Sequence, residues 1–176
     1  EAFDNLGARV AVAEIDRARA DAVRASLGAD ALVSVTDVRD TRQVDALLAE
    51  VARRYGRLDI LVNNAAEQHP QDSLEKITAR QLERTFRTNL FSFFFLTKAA
   101  LPHLKATRGV IINIVDIHAV RPLKDHTAYG AAKAGLAFLT RALARDLAPD
   151  IRVNGVAPGA ILWPDGGVTD SMRDTI

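Results

Sequence analysis

Five short runs of branched apolar residues punctuate this chain: RVAVA from Arg9, ALVSV from Ala31, LDILV from Leu58, VIINIV from Val110 and IRVNGVA from Ile151. Each is largely apolar on both faces, the mark of parallel strands covered by helices on two sides. The segments between them carry helical periodicity. After a capping Asp40, Val44, Leu47, Leu48, Val51 and Tyr55 recur at helical spacing, and Gly56 supplies the stop. Thr78 and Gln81 are spaced as a capping box ahead of a helix with Leu82, Phe86 and Phe93 on one face. A further helix runs from about Tyr129 to Leu147 with a stripe of Leu136, Leu139, Leu143 and Leu147. The order βαβαβαβαβ predicts a single α/β domain over residues 1–176, a Rossmann-like doubly wound parallel sheet.

Composition narrows the function classes. With 48% hydrophobic residues in 176, the chain can bury a substantial core. Its 23 Lys and Arg against 22 Asp and Glu are scattered, so nothing draws it to nucleic acid or an anionic membrane. A small-molecule partner is the expectation. The absence of cysteine excludes disulfides, thiolate nucleophiles and cysteine metal sites, and His69, His103, His118 and His126 lack metal-ligand spacing. The most apolar window, LFSFFFLTKAAL from Leu90, is too short to span a bilayer and contains Lys98. With no signal peptide at its start, the chain reads as cytoplasmic.

Ligands of doubly wound sheets sit beyond the carboxyl ends of the strands. Polar or turn residues stand at each of those ends here: Glu14 and Asp16, then Asp37, then Asn63 and Asn64, then Asp116, then Pro158 and Gly159. Any one of them could be a turn or helix cap. All of them on one rim point to a site.

Tyr129 and Lys133 are four residues apart on a predicted helix, so they share a face. An ammonium about 5 Å from a phenolate contributes roughly 3 kcal/mol at an effective dielectric near 20, which would pull the phenol well below its usual value near 10. The phenol would then exchange protons near neutral pH. Asn89 falls on the face with Leu82, Phe86 and Phe93, where an amide must find partners. A water relay toward Lys133 is one use; a helix kink or a bond to a neighbouring carbonyl is the other.

Taken in order, Asp37-Val38, the LDILVNNAA run from Leu58 to Ala66, Asn89, Tyr129-x-x-x-Lys133 and RVNGVAPG from Arg152 to Gly159 resemble the short-chain dehydrogenase/reductase family over essentially the whole chain. The resemblance implies Tyr129 as the acid/base, Lys133 bound to a nicotinamide ribose while lowering the tyrosine pKa, and Asn89 holding a relay water. It further implies Asp37 and Val38 beside the adenine, Asn63, Asn64 and Ala65 along the cofactor, Pro158 and Gly159 near the nicotinamide, and a homo-oligomer, dimer or tetramer, for the complete protein.

The chain departs from the family pattern at Asp116, where a serine is usual, and at Ala66, where glycine is. Asp116, thirteen residues before Tyr129, together with Arg121-Pro122-Leu123 and PGAILWP from Pro158 to Pro164, is similar to pteridine reductases. An ionised carboxylate repels a carbonyl oxygen, so Asp116 favours a substrate with N–H donors or a C=N bond, or needs a raised pKa. Asn63 to Leu104 resembles instead the sugar and polyol dehydrogenases of the family. Glu14, the acid ending the strand from Arg9, would accept ribose hydroxyls and repel a 2′-phosphate, which predicts NAD in preference to NADP; Arg17 and Arg19 could reach that phosphate.

The acid of a Rossmann unit lies about 20 residues past the glycine loop, which places that loop, and the strand before it, ahead of residue 1. EAFDNLG reads as the tail of the first helix. The expectation is therefore a fragment lacking the first strand with its glycine-rich loop and the family's last strand. In the 3-2-1-4-5-6 order the first strand is central, so the runs at Arg9 and Ala31 should pair as one piece and those at Leu58, Val110 and Ile151 as another. The competing expectation is a non-catalytic remnant that keeps only an association surface.

Overall fold

The computed structural model describes residues 2–159. Strands β1 (Ala11–Glu14), β2 (Leu32–Val35), β3 (Ile60–Asn63), β4 (Val110–Ile114) and β5 (Arg152–Val156) fall on the five predicted runs. All their pairings are parallel, in two sheets of order β1-β2 and β3-β4-β5. These are the two groups that the strand order predicts. Among the described residues, β1 and β3 thus each carry an unpaired edge, and Ile60 and Val62 of β3 remain 42% and 40% exposed.

Helix α1 (Ala2–Asn5) precedes β1, and α2 (Arg17–Ser26) follows it with Asp16 as N-cap, its carboxylate accepting from Arg19 N–H. α3 (Thr41–Tyr55) is capped by Asp40 and ends on Gly56 at φ 71°, a left-handed position suited to glycine. Its Val44 and Leu48 pack with Leu61, Ala100, Leu104, Ile111, Ile151 and Val153 into the main core. Leu104 and Ile111 are fully buried, and each such side chain contributes ~1.5–3 kcal/mol. At the entry to β4 the backbone of Gly109 passes so near Asp59 that a Cβ would sit 2.6 Å from its carbonyl oxygen.

The stripe predicted for Leu82, Phe86 and Phe93 needs correction. The chain forms α4 (Ala79–Phe86), then a wide π-helical turn at Arg87–Phe91, then α5 (Ser92–Thr107). The wide turn shifts the helical register, so Thr85, Thr88, Asn89, Ser92 and Phe93 are buried while Leu82 is 43% exposed. The capping box is half formed: Thr78 accepts from Gln81 N–H, but the Gln81 side chain donates to His69 O. α6 (Thr127–Asp146) completes the described helices, burying Leu136 against Phe93 and Val115.

Candidate active site

Parallel pairing aligns the strand ends within each sheet: Glu14 lies opposite Val35, and Asn63 opposite Asn113. Beyond β4, Asp116 caps a short 3-10 turn, Ile117–Ala119, its Oδ1 accepting from His118 N–H at 2.8 Å. Pro158 O accepts from Ile117 N–H at 3.1 Å, which brings the Pro158-Gly159 turn alongside. Residues 160–164 of the PGAILWP run lie outside the described residues.

The first turn of α6 carries Tyr129, buried, with its hydroxyl donating to Asp116 Oδ2 at 2.7 Å. Lys133, one turn on, is 1% exposed; its Nζ lies 5.7 Å from the Tyr129 ring centroid and 5.6 Å from that of Phe93. The predicted juxtaposition is present, but the ammonium donates to Ile114 O at 2.8 Å, past the phenol. The predicted lowering of the tyrosine pKa is therefore reversed. Burial, the Asp116 hydrogen bond and the Asp116 charge push Tyr129 up to about 12, with Gln68 opposing. Burial pushes Lys133 down to about 8 against the pull of Asp116. The i, i+4 spacing sets proximity, not where the amine points.

Asn89 is fully buried with both amide hydrogens spent, one on Glu67 O at 3.0 Å and one on Thr85 O at 2.9 Å; its Oδ1 accepts from Glu67 N–H at 3.3 Å. Of the two uses expected for this amide, the structure realises bonds to neighbouring carbonyls beside a distorted helical turn. Asn63 is likewise committed inward: its amide donates to Asn113 Oδ1 at 2.9 Å and to Thr97 Oγ1 at 3.3 Å. Its Oδ1 is buried with no partner among the described residues, whereas Asn64 is exposed and Ala65 half-buried. Asp16, as a helix cap, has its carboxylate in use.

Glu14 Oε1 accepts from Asp16 N–H at 2.9 Å and leaves the second oxygen open. Arg17 and Arg19 are exposed. Asp37 is gripped by Arg39 at 2.8–3.2 Å, and this guanidinium, through its hydrogen bonds first, holds the carboxyl below the usual range despite partial burial. Val38 beside it is half-buried. A cavity of about 540 Å³ lined by Asp37, Arg39, Asp40, Arg84 and Arg87, among others, opens beside Asp37 rather than at Tyr129. The chemistry of Tyr129 marks the site better than the size of this open, charged groove.

The residues present fit a dinucleotide in one respect above others. Lys133 is a buried amine with a single acceptor, so its remaining N–H donors can meet ribose hydroxyls. Among the described residues no group of three or more His, Cys, Asp or Glu could hold a metal, and no helix is long and apolar enough to cross a membrane. Sequence reasoning overlooked Glu67, which grips Arg84 and Thr88 and touches Asn89. A lone acid in a polar loop carries no periodic signal.

A family model described as enoyl-(acyl carrier protein) reductase matches residues 1–174. The chain is 41% identical over 143 residues to NADPH-dependent aldehyde reductase 1, chloroplastic, of Arabidopsis thaliana, covering 81% of this chain and 49% of that protein. It is 43% identical over 152 residues to a glucose and ribitol dehydrogenase homolog of Oryza sativa subsp. japonica, covering 81% and 51%. The solved 3-ketoacyl-(acyl-carrier-protein) reductase from Brucella melitensis, complexed with NADH, matches with a TM-score of 0.84 and 32% identity over 89% of this chain and 67% of that one. The chain spans about half the length of the curated relatives it matches. On the family model that matches residues 1–174, the curated relatives and the shared parallel α/β fold, the chain belongs to the short-chain dehydrogenase/reductase family.

Proposed function

We propose that the complete protein is an NAD(P)-dependent oxidoreductase acting on a carbonyl, an alcohol or an imine, with Tyr129 as the group that gives and takes the proton. The observation that carries this reading is the buried phenol of Tyr129 one helical turn from the buried amine of Lys133, beyond the carboxyl end of a parallel strand. The nicotinamide supplies or accepts the hydride when bound. Tyr129 holds the proton for the substrate oxygen or nitrogen, Lys133 offers its free N–H donors to a ribose, and Asn89 fixes the loop after β3. Asp37, Val38, Asn63, Asn64, Ala65, Pro158 and Gly159 are the proposed dinucleotide contacts.

NAD is the preferred cofactor in this reading, because the Glu14 carboxylate would face a 2′-phosphate with like charge. Relatives are divided: the Brucella structure holds NADH, and the Arabidopsis reductase is NADPH-dependent. The proposed location is the cytoplasm. A homo-oligomer, dimer or tetramer, is favoured by Phe91, Phe94 and Phe95, which follow one another at helical spacing with 44%, 43% and 44% exposure, and by Phe138 at 67%.

A second reading, reduction of a dihydropterin with NADPH, is favoured by the Tyr129–Asp116 hydrogen bond, since the carboxylate can accept from a ring N–H. Steady-state rates of the complete protein and of Asp116→Ser on dihydropterin and on a sugar, polyol and aldehyde panel test both. A pterin enzyme loses dihydropterin turnover selectively on this substitution; a sugar or aldehyde enzyme keeps or gains its rate. Turnover on neither class, with no dinucleotide binding, would leave the non-catalytic reading standing.

A further inference from the structure

Glu67 lies four residues beyond the end of β3, and nearly every polar group it has is taken by one stretch of chain, Arg84 to Asn89. Its carboxylate accepts from Arg84 Nε at 3.1 Å on both oxygens, from Arg84 Nη2 at 2.9 Å and from the Thr88 hydroxyl at 2.8 Å. Its N–H donates to Asn89 Oδ1 and its carbonyl accepts from Asn89 Nδ2. His69 Nε2 stands 3.4 Å from Oε2. Burial alone would push the carboxyl up, yet Arg84 and Thr88 hold it below the ordinary range.

The ion pair is not the whole of this contact. Arg84 is 55% exposed, and an exposed pair contributes little to stability. The neighbours on the other side are buried: Thr88 is 9% exposed and Asn89 0%. Arg84 and Thr88 are also one helical turn apart, so a single carboxylate ties α4 to the π-helical turn while its own backbone is held by the residue after Thr88. Farther along the same loop, Gln71 N–H donates to Asp125 O at 2.8 Å, two residues before α6 and its Tyr129. The loop after β3 is therefore tied to the π-helical turn through Glu67 and to the approach of α6 through Gln71.

We propose that Glu67 is a positioning residue for the oxidoreductase site: its carboxylate latches the loop after β3 onto the π-helical turn, so that Asn64 and Ala65 hold one arrangement around the dinucleotide. The proposal rests on the reading of the preceding subsection. Without the carboxylate, Thr88 and Arg84 lose their shared acceptor, and the backbone clamp of Asn89 is left to hold the loop alone. The loop then samples arrangements in which the reacting atoms are misplaced, and misplacement by about 1 Å can cost on the order of 100-fold in rate.

The test uses the complete protein with Glu67→Ala, Arg84→Ala and the double variant, read by steady-state kinetics, dinucleotide titration and amide hydrogen exchange. Glu67→Ala, which removes both acceptor oxygens, is expected to lower kcat by roughly 10-fold or more with substrate KM changed less than about twofold. In the double variant kcat should fall no further than in the lower single, because both act on one latch. Exchange at the residue 67 N–H, slow in the wild type, should accelerate in Glu67→Ala. An unchanged kcat, or losses that simply multiply in the double variant, overturns the positioning role. Should the wild type show no turnover, the oxidoreductase reading fails separately, and unaltered exchange at Glu67 would overturn the latch by itself.

Discussion

The hydroxyl of Tyr129 donates to Asp116 Oδ2 at 2.7 Å, while the amine of Lys133 turns to the Ile114 carbonyl. The phenol is thus paired with an acceptor rather than with a cation. Burial and Asp116 hold its proton up to about 12, where an unfolded chain releases it near 10. The raised value contributes stability that is fully present below about 10 and is lost as pH rises through about 12.

Replacing the carboxylate by an amide tests that account. In Asp116→Asn the charge and the strong acceptor are gone and burial remains, so the Tyr129 titration should move down from about 12. Ultraviolet phenolate absorbance of the complete protein follows it, with Tyr129→Phe used to subtract the remaining tyrosines, Tyr55 among them. A midpoint left in place would show that Asp116 does not set it.

Tyr129→Phe in the complete protein should lower turnover by roughly 10²-fold or more, since it deletes the proposed proton-transfer group, while dinucleotide binding changes little. Lys133→Ala should impair both, because on the proposed reading its free N–H donors serve the ribose and the amine stands 5.7 Å from the centre of the Tyr129 ring. Near-normal turnover of the phenylalanine variant on the best substrate would remove Tyr129 from the mechanism.

Charge at Glu14 should govern cofactor choice. Glu14→Gln keeps an acceptor for Asp16 N–H, which the carboxylate now holds at 2.9 Å, but removes the repulsion of a 2′-phosphate. The expected result is a narrowed gap between NAD and NADP affinities, measured by titration with each. A wild type that already prefers NADP would shift the assignment to Arg17 and Arg19.

The particular residues explain what sequence could and could not disclose. All five strands and the caps at Asp40 and Thr78 were legible, because two-sided apolar runs and short polar caps are local signals. The proximity of Tyr129 and Lys133 was legible for the same reason. The direction of the Lys133 amine was not, since it depends on a carbonyl of another element, Ile114. Where the Asn63 side chain turns was not legible either: strand alternation takes its amide to Asn113 and Thr97. Leu82 misled because the π-helical turn breaks the 3.6-residue period on which its stripe was drawn.

The 176 residues taken alone should associate poorly into one cooperative unit. Among the described residues β1 and β3 each end a sheet, and a strand edge without a partner is a template for another chain. Val35, Ile60 and Val62 are 38%, 42% and 40% exposed, so apolar surface accompanies the open backbone groups. Helix α3 bridges them instead: its Val44 and Leu48 pack on the three-stranded sheet, and its Tyr55 hydroxyl donates to the Val10 and Asp30 carbonyls beside the other. The isolated chain is therefore expected to aggregate or to melt broadly, to bind dinucleotide weakly and to lack measurable turnover while retaining Tyr129 and Lys133. Thermal unfolding and NAD titration of this chain beside the complete protein decide the matter: a sharp transition with equal NAD affinity would mean that the open edges cost the fold nothing.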